Sequence, residues 1–210
     1  MEKNISKSVI RRLPRYYRFL EELLREGVEK ISSRELSERM RLTASQIRQD
    51  FNCFGGFGQQ GYGYNVAKLR EQIGEILHLY GEHKAVLIGA GNLGRAISLH
   101  LDFARFGFKL VGIFDRDPAL IGEIIAGQQV RSADGLREFC AEHEPCMAIL
   151  CIPREGVKST VSTLMECGVT SFWNYSHYDI LGDFPEAIVE NVHLHDSLMA
   201  LSYEMESKNE

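Results

Sequence analysis

The feature that most constrains this chain is the turn Gly89-Ala90-Gly91-Asn92-Leu93-Gly94, which follows the apolar run Lys84-Ala85-Val86-Leu87-Ile88 and opens a segment of helical periodicity. A G-x-G-x-x-G spacing carries weight only between a strand and a helix, and that is its setting here. Gly89 allows the tight turn, Gly91 lets backbone approach a pyrophosphate, and Gly94 lets the helix pack closely on the strand. Free N–H groups of Asn92 and Leu93 at the helix start, beside Ala90, attract phosphate. Asp115 ends the next apolar run, LVGIFD, 21 residues beyond Gly94. A carboxylate there accepts from ribose hydroxyls and repels a 2′-phosphate, so the spacing predicts NAD(H) in preference to NADP(H). Arg116, next in sequence, can soften that preference. The alternative is a Gly-rich turn that binds nothing.

Strand and helix alternate around this turn: strands at 85–89, 108–114, 147–152 and 171–174, helices at 93–105 and 157–167. Strands as uniformly apolar as AVLIG and MAILCI belong in a parallel sheet covered on both faces, so the fold class is α/β with a Rossmann-type doubly wound sheet. Ile152 and Pro153 follow a strand at the ligand edge of such a sheet, where Pro153 either borders the nicotinamide or starts the next helix. Asn174 is placed similarly, to bond a carboxamide or to cap a loop.

The first 80 residues read differently. Ile10, Leu13, Tyr17, Leu20 and Leu24 repeat at helical spacing over residues 6–26, with Ser6 as cap, Gly27 as stop and Pro14 as the point of a kink or late start. Ser32 and Glu35 form a capping box ahead of Leu36 and Met40, and Thr43 caps a third helix whose apolar side is Ile47 and Phe51. Three helices joined by short turns make a helix-turn-helix. Ser45, Gln46, Arg48 and Gln49 lie off the apolar side of the third and suit a major groove. Residues 55–65 alternate glycine with aromatics about a Gln-Gln-Gly turn, which predicts two short extended arms, a wing, with Phe57, Gln59, Gln60 and Tyr62 toward DNA. Arg12 and Arg15 supply phosphate contacts, or only solvate the first helix. A further helix carries Leu69, Ile73, Ile76, Leu77 and Tyr80.

Charge divides the chain in the same place. Residues 1–80 hold 14 Lys and Arg against 10 Asp and Glu, and the remainder 10 against 19. A basic module that seeks anions is joined to an acidic one. The five cysteines contain no C-x-x-C pair and no His placed to complete a zinc set, so they read as free thiols and no metal is expected. No apolar run suits a signal peptide or a bilayer span, which predicts a cytoplasmic protein with no membrane partner. Leu194, Leu198, Leu201 and Met205 form one apolar stripe near the end of the chain, either packed on its own sheet or exchanged with a partner subunit.

The ordered set RLPRYYRFLEEL, SSRELSERMRLTASQIRQDFNCFG, GFGQQGYGYNV, LIGAGNLGRA, GIFDRDP, IPRE and WNYS resembles the Rex family of redox-sensing transcriptional repressors over nearly the whole chain. The resemblance implies a winged-helix domain over residues 1–80, a Rossmann domain over 81–193 and a swapped dimerisation helix and tail over 194–210. It also implies a homodimer that reads an inverted-repeat operator in double-stranded DNA and leaves it when NADH binds. The family's switch uses an Arg in the first helix, a Tyr in the Rossmann helix and an Asp before the swapped helix. Arg18 matches the first, whereas the Tyr falls at His100 and the Asp at His193, with Asp196 nearby. Imidazoles titrate near neutral pH, so the switch does not carry over unchanged: it is rewired, or belongs to a paralogue with an altered response, or the two histidines only fill an interface. Two other functions stay open. One is a small NAD-dependent oxidoreductase, although His177, His193 and His195 show no orienting partner in the sequence. The other is a DNA-binding dimer that uses the dinucleotide only structurally.

Overall fold

The computed structural model describes residues 5–55 and 63–207, and the chain divides into two compact units, Met1–Tyr80 and Gly81–Glu210.

In the first unit α1 (Lys7–Arg25) starts at Ser6, whose side chain accepts from the Val9 N–H, and ends before Gly27 at φ 77°. The helix is continuous through Pro14, without the late start open to it. Pro14 sits on the exposed side, and the residues flanking it are held by a buried stripe of Val9, Leu13, Tyr16, Tyr17, Leu20 and Leu23. Ile10 and Leu24, expected in that stripe, lie on its rim at 38% exposure each. After β1 (Lys30–Ile31) comes α2 (Ser33–Met40), which opens with both bonds of the capping box: Glu35 N–H to Ser32 Oγ at 3.1 Å and Ser32 N–H to Glu35 Oε2 at 2.8 Å. Thr43 caps α3 (Ala44–Asn52) by accepting from Gln46 N–H at 3.1 Å. β2 (Tyr64–Asn65) pairs antiparallel with β1, Ile31 opposite Tyr64, a partner outside the glycine segment that the sequence did not suggest. Asn65 then caps α4 (Val66–Ile76), whose Leu69 and Ile73 join α1 in the core. Tyr80, expected on this helix, lies beyond it and is 55% exposed.

The second unit is a seven-stranded sheet. Its elements are β3 (His83–Ile88), α5 (Asn92–His100), β4 (Phe108–Asp115), β5 (Ile124–Ile125), β6 (Gln128–Ser132), α6 (Leu136–His143), β7 (Met147–Leu150), α7 (Arg154–Glu166), β8 (Ser171–Asn174), α8 (Ile180–Asp183), β9 (Ile188–Asn191) and α9 (Leu194–Glu206). The strand order is β5-β6-β4-β3-β7-β8-β9, parallel throughout except for the β5–β6 edge pair. Without β5 this is the doubly wound order, which reverses direction between β3 and β7 and opens a crevice at their carboxyl ends. Alternate residues of β3 serve opposite faces: Val86 and Ile88 pack with Phe139, Val157 and Val161, and Leu87 with Ile113, Val130 and Ile149. Both faces are therefore apolar, as the unbroken hydrophobic runs require.

Two expectations change here. The helix read over 93–105 stops at His100, where Leu101 leaves helical geometry, and a separate 3₁₀ turn follows over Ala104–Phe106, with Asp102 accepting from Arg105 N–H at 3.2 Å. The stripe of α9 does not pack on its own sheet: no residue of the helix is buried, and Leu194, Leu198, Leu201 and Met205 are 58%, 63%, 51% and 60% exposed.

Candidate functional site

A cleft of about 700 Å³ opens at the carboxyl ends of β3, β4 and β7, walled by Gly89, Gly91, Asp115, Arg116, Ile152 and Pro153 among others. Its floor is the Gly-rich turn, and the three glycines differ sharply. Gly89 sits at φ 102°, and a Cβ there would lie 2.5 Å from the Cys151 carbonyl oxygen. A Cβ on Gly94 would lie 1.8 Å from Gly89 O, so α5 can rest on β3 at this distance only with hydrogen at that position. Around Gly91 there is nothing within 4 Å of a built Cβ; its missing side chain leaves open space over the helix start. The first intrahelical bond of α5 is Arg95 N–H to Gly91 O at 2.9 Å, which leaves the N–H groups of Asn92, Leu93 and Gly94 without intrahelical acceptors. A helix end of that kind attracts anions.

Asp115, the last residue of β4, touches the same turn. Its Oδ2 accepts from Ala90 N–H at 2.6 Å and its Oδ1 from Asp117 N–H at 2.9 Å, which fixes the carboxylate at the rim of the cleft. Arg116 turns toward α7, donating to Ser159 Oγ at 3.3 Å. Pro153 lines the cleft and is the N-cap of α7, one position before the first helical residue Arg154. Beneath it the Cys151 thiol is pushed up to about 12 by burial, unlike a reactive thiolate. The wall formed by Asp134 and Leu136 comes from the turn Ala133–Gly135 and the start of α6, a region where sequence periodicity was too short to read.

Asn174 requires a correction. It is fully buried, its Nδ2 donates to Tyr178 O at 3.0 Å and Asn191 Oδ1 at 2.8 Å, and its Oδ1 accepts from Ser176 N–H and Oγ at 3.0 and 2.6 Å. Its amide is occupied in closing the β8 loop, with no bond left for a carboxamide.

In the first unit Ser45, Arg48 and Gln49 are exposed on α3, and Arg48 donates to Ser33 Oγ at 3.1 Å. Arg15 and Arg18 are exposed on α1, Arg15 donating to the Met40 carbonyl. Arg12 and Gln46 were expected to face DNA; the structure commits the Arg12 guanidinium and the Gln46 Nε2 to Asp50, to which the sequence pattern assigned no role, and leaves Gln46 Oε1 without a partner among the described residues. Asp50 is fully buried between Ile47 and Phe51. Arg12 grips it with Nε and Nη2, each at 2.7 Å, Tyr16 Oη donates at 2.8 Å and Gln46 Nε2 at 2.9 Å. Burial alone raises such a carboxyl, yet the bonds from Arg12, Tyr16 and Gln46 outweigh it and hold Asp50 below its ordinary value of 3.8. Burial and the Asp50 carboxylate push the Tyr16 hydroxyl up. Only the position of an acid on an apolar helix face could have signalled this network. Phe57, Gln59, Gln60 and Tyr62 lie outside the described residues.

His100 is exposed at the end of α5. His193, half-buried before α9, has its Nδ1 3.6 Å from Asp196 Oδ2, and its ring centroid is 5.3 Å from that of His177, which in turn is 5.1 Å from His195. The three histidines thus share one cluster, and Asp196, already near His193 in the sequence, is the acid beside it. Among the described residues, no helix is long and apolar enough to cross a membrane.

Residues 4–52 match the family model described as "Putative DNA-binding protein N-terminus", and residues 81–178 the one described as "CoA binding domain". The redox-sensing transcriptional repressor Rex of Clostridium perfringens (strain SM101 / Type A) is 47% identical over 203 residues, covering 96% of this chain and 95% of that one. The chain belongs to the Rex family. Two solved Rex-family structures superpose on nearly all of it. RSP with β-NAD⁺ and operator DNA has a TM-score of 0.89 at 46% identity, over 98% of this chain and 94% of that one. RSP with β-NADH has a TM-score of 0.89 at 44% identity, over 98% and 96%. Family membership accounts for the fold and for the order of its two units.

Proposed function

We propose that this protein is a redox-sensing transcriptional repressor: a homodimer that binds an inverted-repeat operator through α3 and the glycine-rich segment and is released when NADH occupies the cleft. The observation that carries the reading is Asp115, held against the Gly-rich turn through Ala90 N–H, in a chain that also bears a helix-turn-helix. The pyrophosphate lies over Gly91 against the free N–H groups of α5, the ribose hydroxyls meet Asp115, and Ile152 and Pro153 border the nicotinamide. Ser45, Arg48 and Gln49 face the major groove and Arg15 the phosphates. The names of the relatives support a repressor in preference to an oxidoreductase, and RSP is known with both dinucleotides and with operator DNA.

Two apolar surfaces support the homodimer. One is the exposed stripe of α9. The other is a groove of about 540 Å³ on the sheet face beside β8 and β9, lined by Leu101, Phe103, Phe106, Trp173 and Ile188. Each needs a partner to leave water, and the α9 of a second copy supplies both requirements. Arg18, His100 and His193 are the switch positions, with imidazole replacing the family's Tyr and Asp. Titration of an operator duplex at several NADH to NAD⁺ ratios and fixed salt tests the whole reading. Affinity should fall as the ratio rises; equal affinities at saturating NADH and saturating NAD⁺ overturn the sensor and leave a dinucleotide that only stabilises the dimer.

A further inference from the structure

We propose that Asp50 is a specificity-determining positioning residue, which locks the Gln46 carboxamide so that its Oε1 faces outward and accepts from the exocyclic amine of an adenine or cytosine in the operator. The inference rests on α3 being the recognition helix.

A fully buried carboxylate is a poor way to stabilise a small helical domain. Removing a charge from water costs several kcal/mol, and an ion pair with a buried member, replaced by apolar groups of similar volume, is often neutral or stabilising. The four bonds that Arg12, Tyr16 and Gln46 make to Asp50 offset the cost of its burial, and what they add is geometry. The Arg12 fork ties α3 to α1 with two parallel bonds that fix direction as well as distance. Gln46 is one turn before Asp50 on α3, and its Nε2 donates to Asp50 Oδ1 at 2.9 Å. Turning the amide over would set Oε1 against a carboxylate oxygen, two acceptors in contact, so the orientation follows from chemistry. Oε1 has no partner among the described residues and is not a buried atom. Gln46 lines a recess of about 590 Å³ together with Ser6, Arg12 and Gln49. A carboxamide free to flip reads a donor or an acceptor equally well, whereas one held this way offers an acceptor. In the major groove the matching donors are adenine N6 and cytosine N4. Arg12, already paired with Asp50, orients this edge and is not one of the cations that neutralise phosphate.

The test uses the full chain. An operator is first selected from a randomised duplex library with the wild-type protein, and affinities are then measured for every single base-pair change in it at several salt concentrations. At one base pair of each half-site the wild type should favour adenine or cytosine on the read strand by at least about tenfold, in line with 1–3 kcal/mol per good contact. Gln46→Ala should abolish the preference at that base pair alone. Asp50→Asn should relax it below about threefold, and Arg12→Met should do the same while the slope of log affinity against log salt stays at the wild-type value; loss of a phosphate contact lowers that slope by about one. Asp50→Leu combined with Arg12→Met replaces the buried pair by apolar groups and guards against a single variant that fails to fold. A folded Asp50 variant that keeps the preference overturns the proposal, as does an Arg12→Met variant that keeps it and loses about one unit of salt slope. A wild-type chain that selects no sequence removes the recognition helix itself, and is distinguished from both results.

Discussion

Substituting alanine at two glycines of the same turn should separate binding from folding. At Gly91 the new methyl meets nothing within 4 Å, and the backbone, at φ −66°, suits alanine. Alanine is the poorer helix cap by roughly 0.5–1 kcal/mol, but loss of glycine's freedom in the unfolded chain returns about 0.4–1 kcal/mol. The ligand-free melting temperature should therefore stay within about 4 °C of wild type. The methyl does occupy the approach to the α5 N–H groups, holding phosphate oxygens beyond the roughly 2.8 Å that a charge-assisted bond needs. Two such bonds at about 1.5 kcal/mol each amount to about 3 kcal/mol, or roughly 100-fold in affinity. With NADH at 100 times the wild-type Kd, ligand stabilisation should drop from about 2.7 kcal/mol to about 0.4 kcal/mol, so a melting shift of about 10 °C should shrink to about 2 °C. Gly94→Ala should behave in the opposite way. Its methyl falls 1.8 Å from Gly89 O, a backbone atom that cannot rotate aside, so α5 must lift from β3. The ligand-free protein should lose about 3 kcal/mol or more. Melting curves with and without NADH read both effects. A Gly91→Ala protein with the full NADH shift would refute the placement of the pyrophosphate, and a Gly94→Ala protein with an unchanged ligand-free melt would refute the packing argument.

Asp115→Asn removes the charge that repels a 2′-phosphate, so the preference for NADH over NADPH should fall at least about tenfold in a competition titration. Leu198→Glu with Leu201→Glu places charge on the α9 stripe; sedimentation should show a single chain, and operator affinity should fall by at least about tenfold, whereas an unchanged dimer would place the interface elsewhere. Asp50 is depressed in the folded state, so its contribution to stability is complete above its ordinary value of 3.8 and disappears as pH falls through the lower folded value. Urea unfolding of the wild type should weaken over that acid range more steeply than Asp50→Asn, and parallel pH profiles would exclude the linkage.

Features that depend on near neighbours are legible in the chain as written. The capping box of Ser32 and Glu35, the Thr43 cap, the Gly89 turn and the 21-residue step from Gly94 to Asp115 are local, because turns, caps and strand lengths are set within a few residues. Short elements were illegible for the same reason. The stretch from β5 to α6 and the strand β9 hold too few residues for a period to emerge, and their places come from pairing with strands distant in sequence. Side-chain commitments were decided by the tertiary structure alone. Arg12 and Gln46 look like free polar residues until Asp50, 38 residues from the first and four from the second, is buried beside them. Asn174 looks like a ligand group until the β8 loop closes on its amide. A buried charge or amide must find partners wherever the fold brings them. Spacing gave the Gly-rich turn its meaning, but only the packed chain shows that Gly94 serves the contact with β3 while Gly91 keeps space open for a ligand.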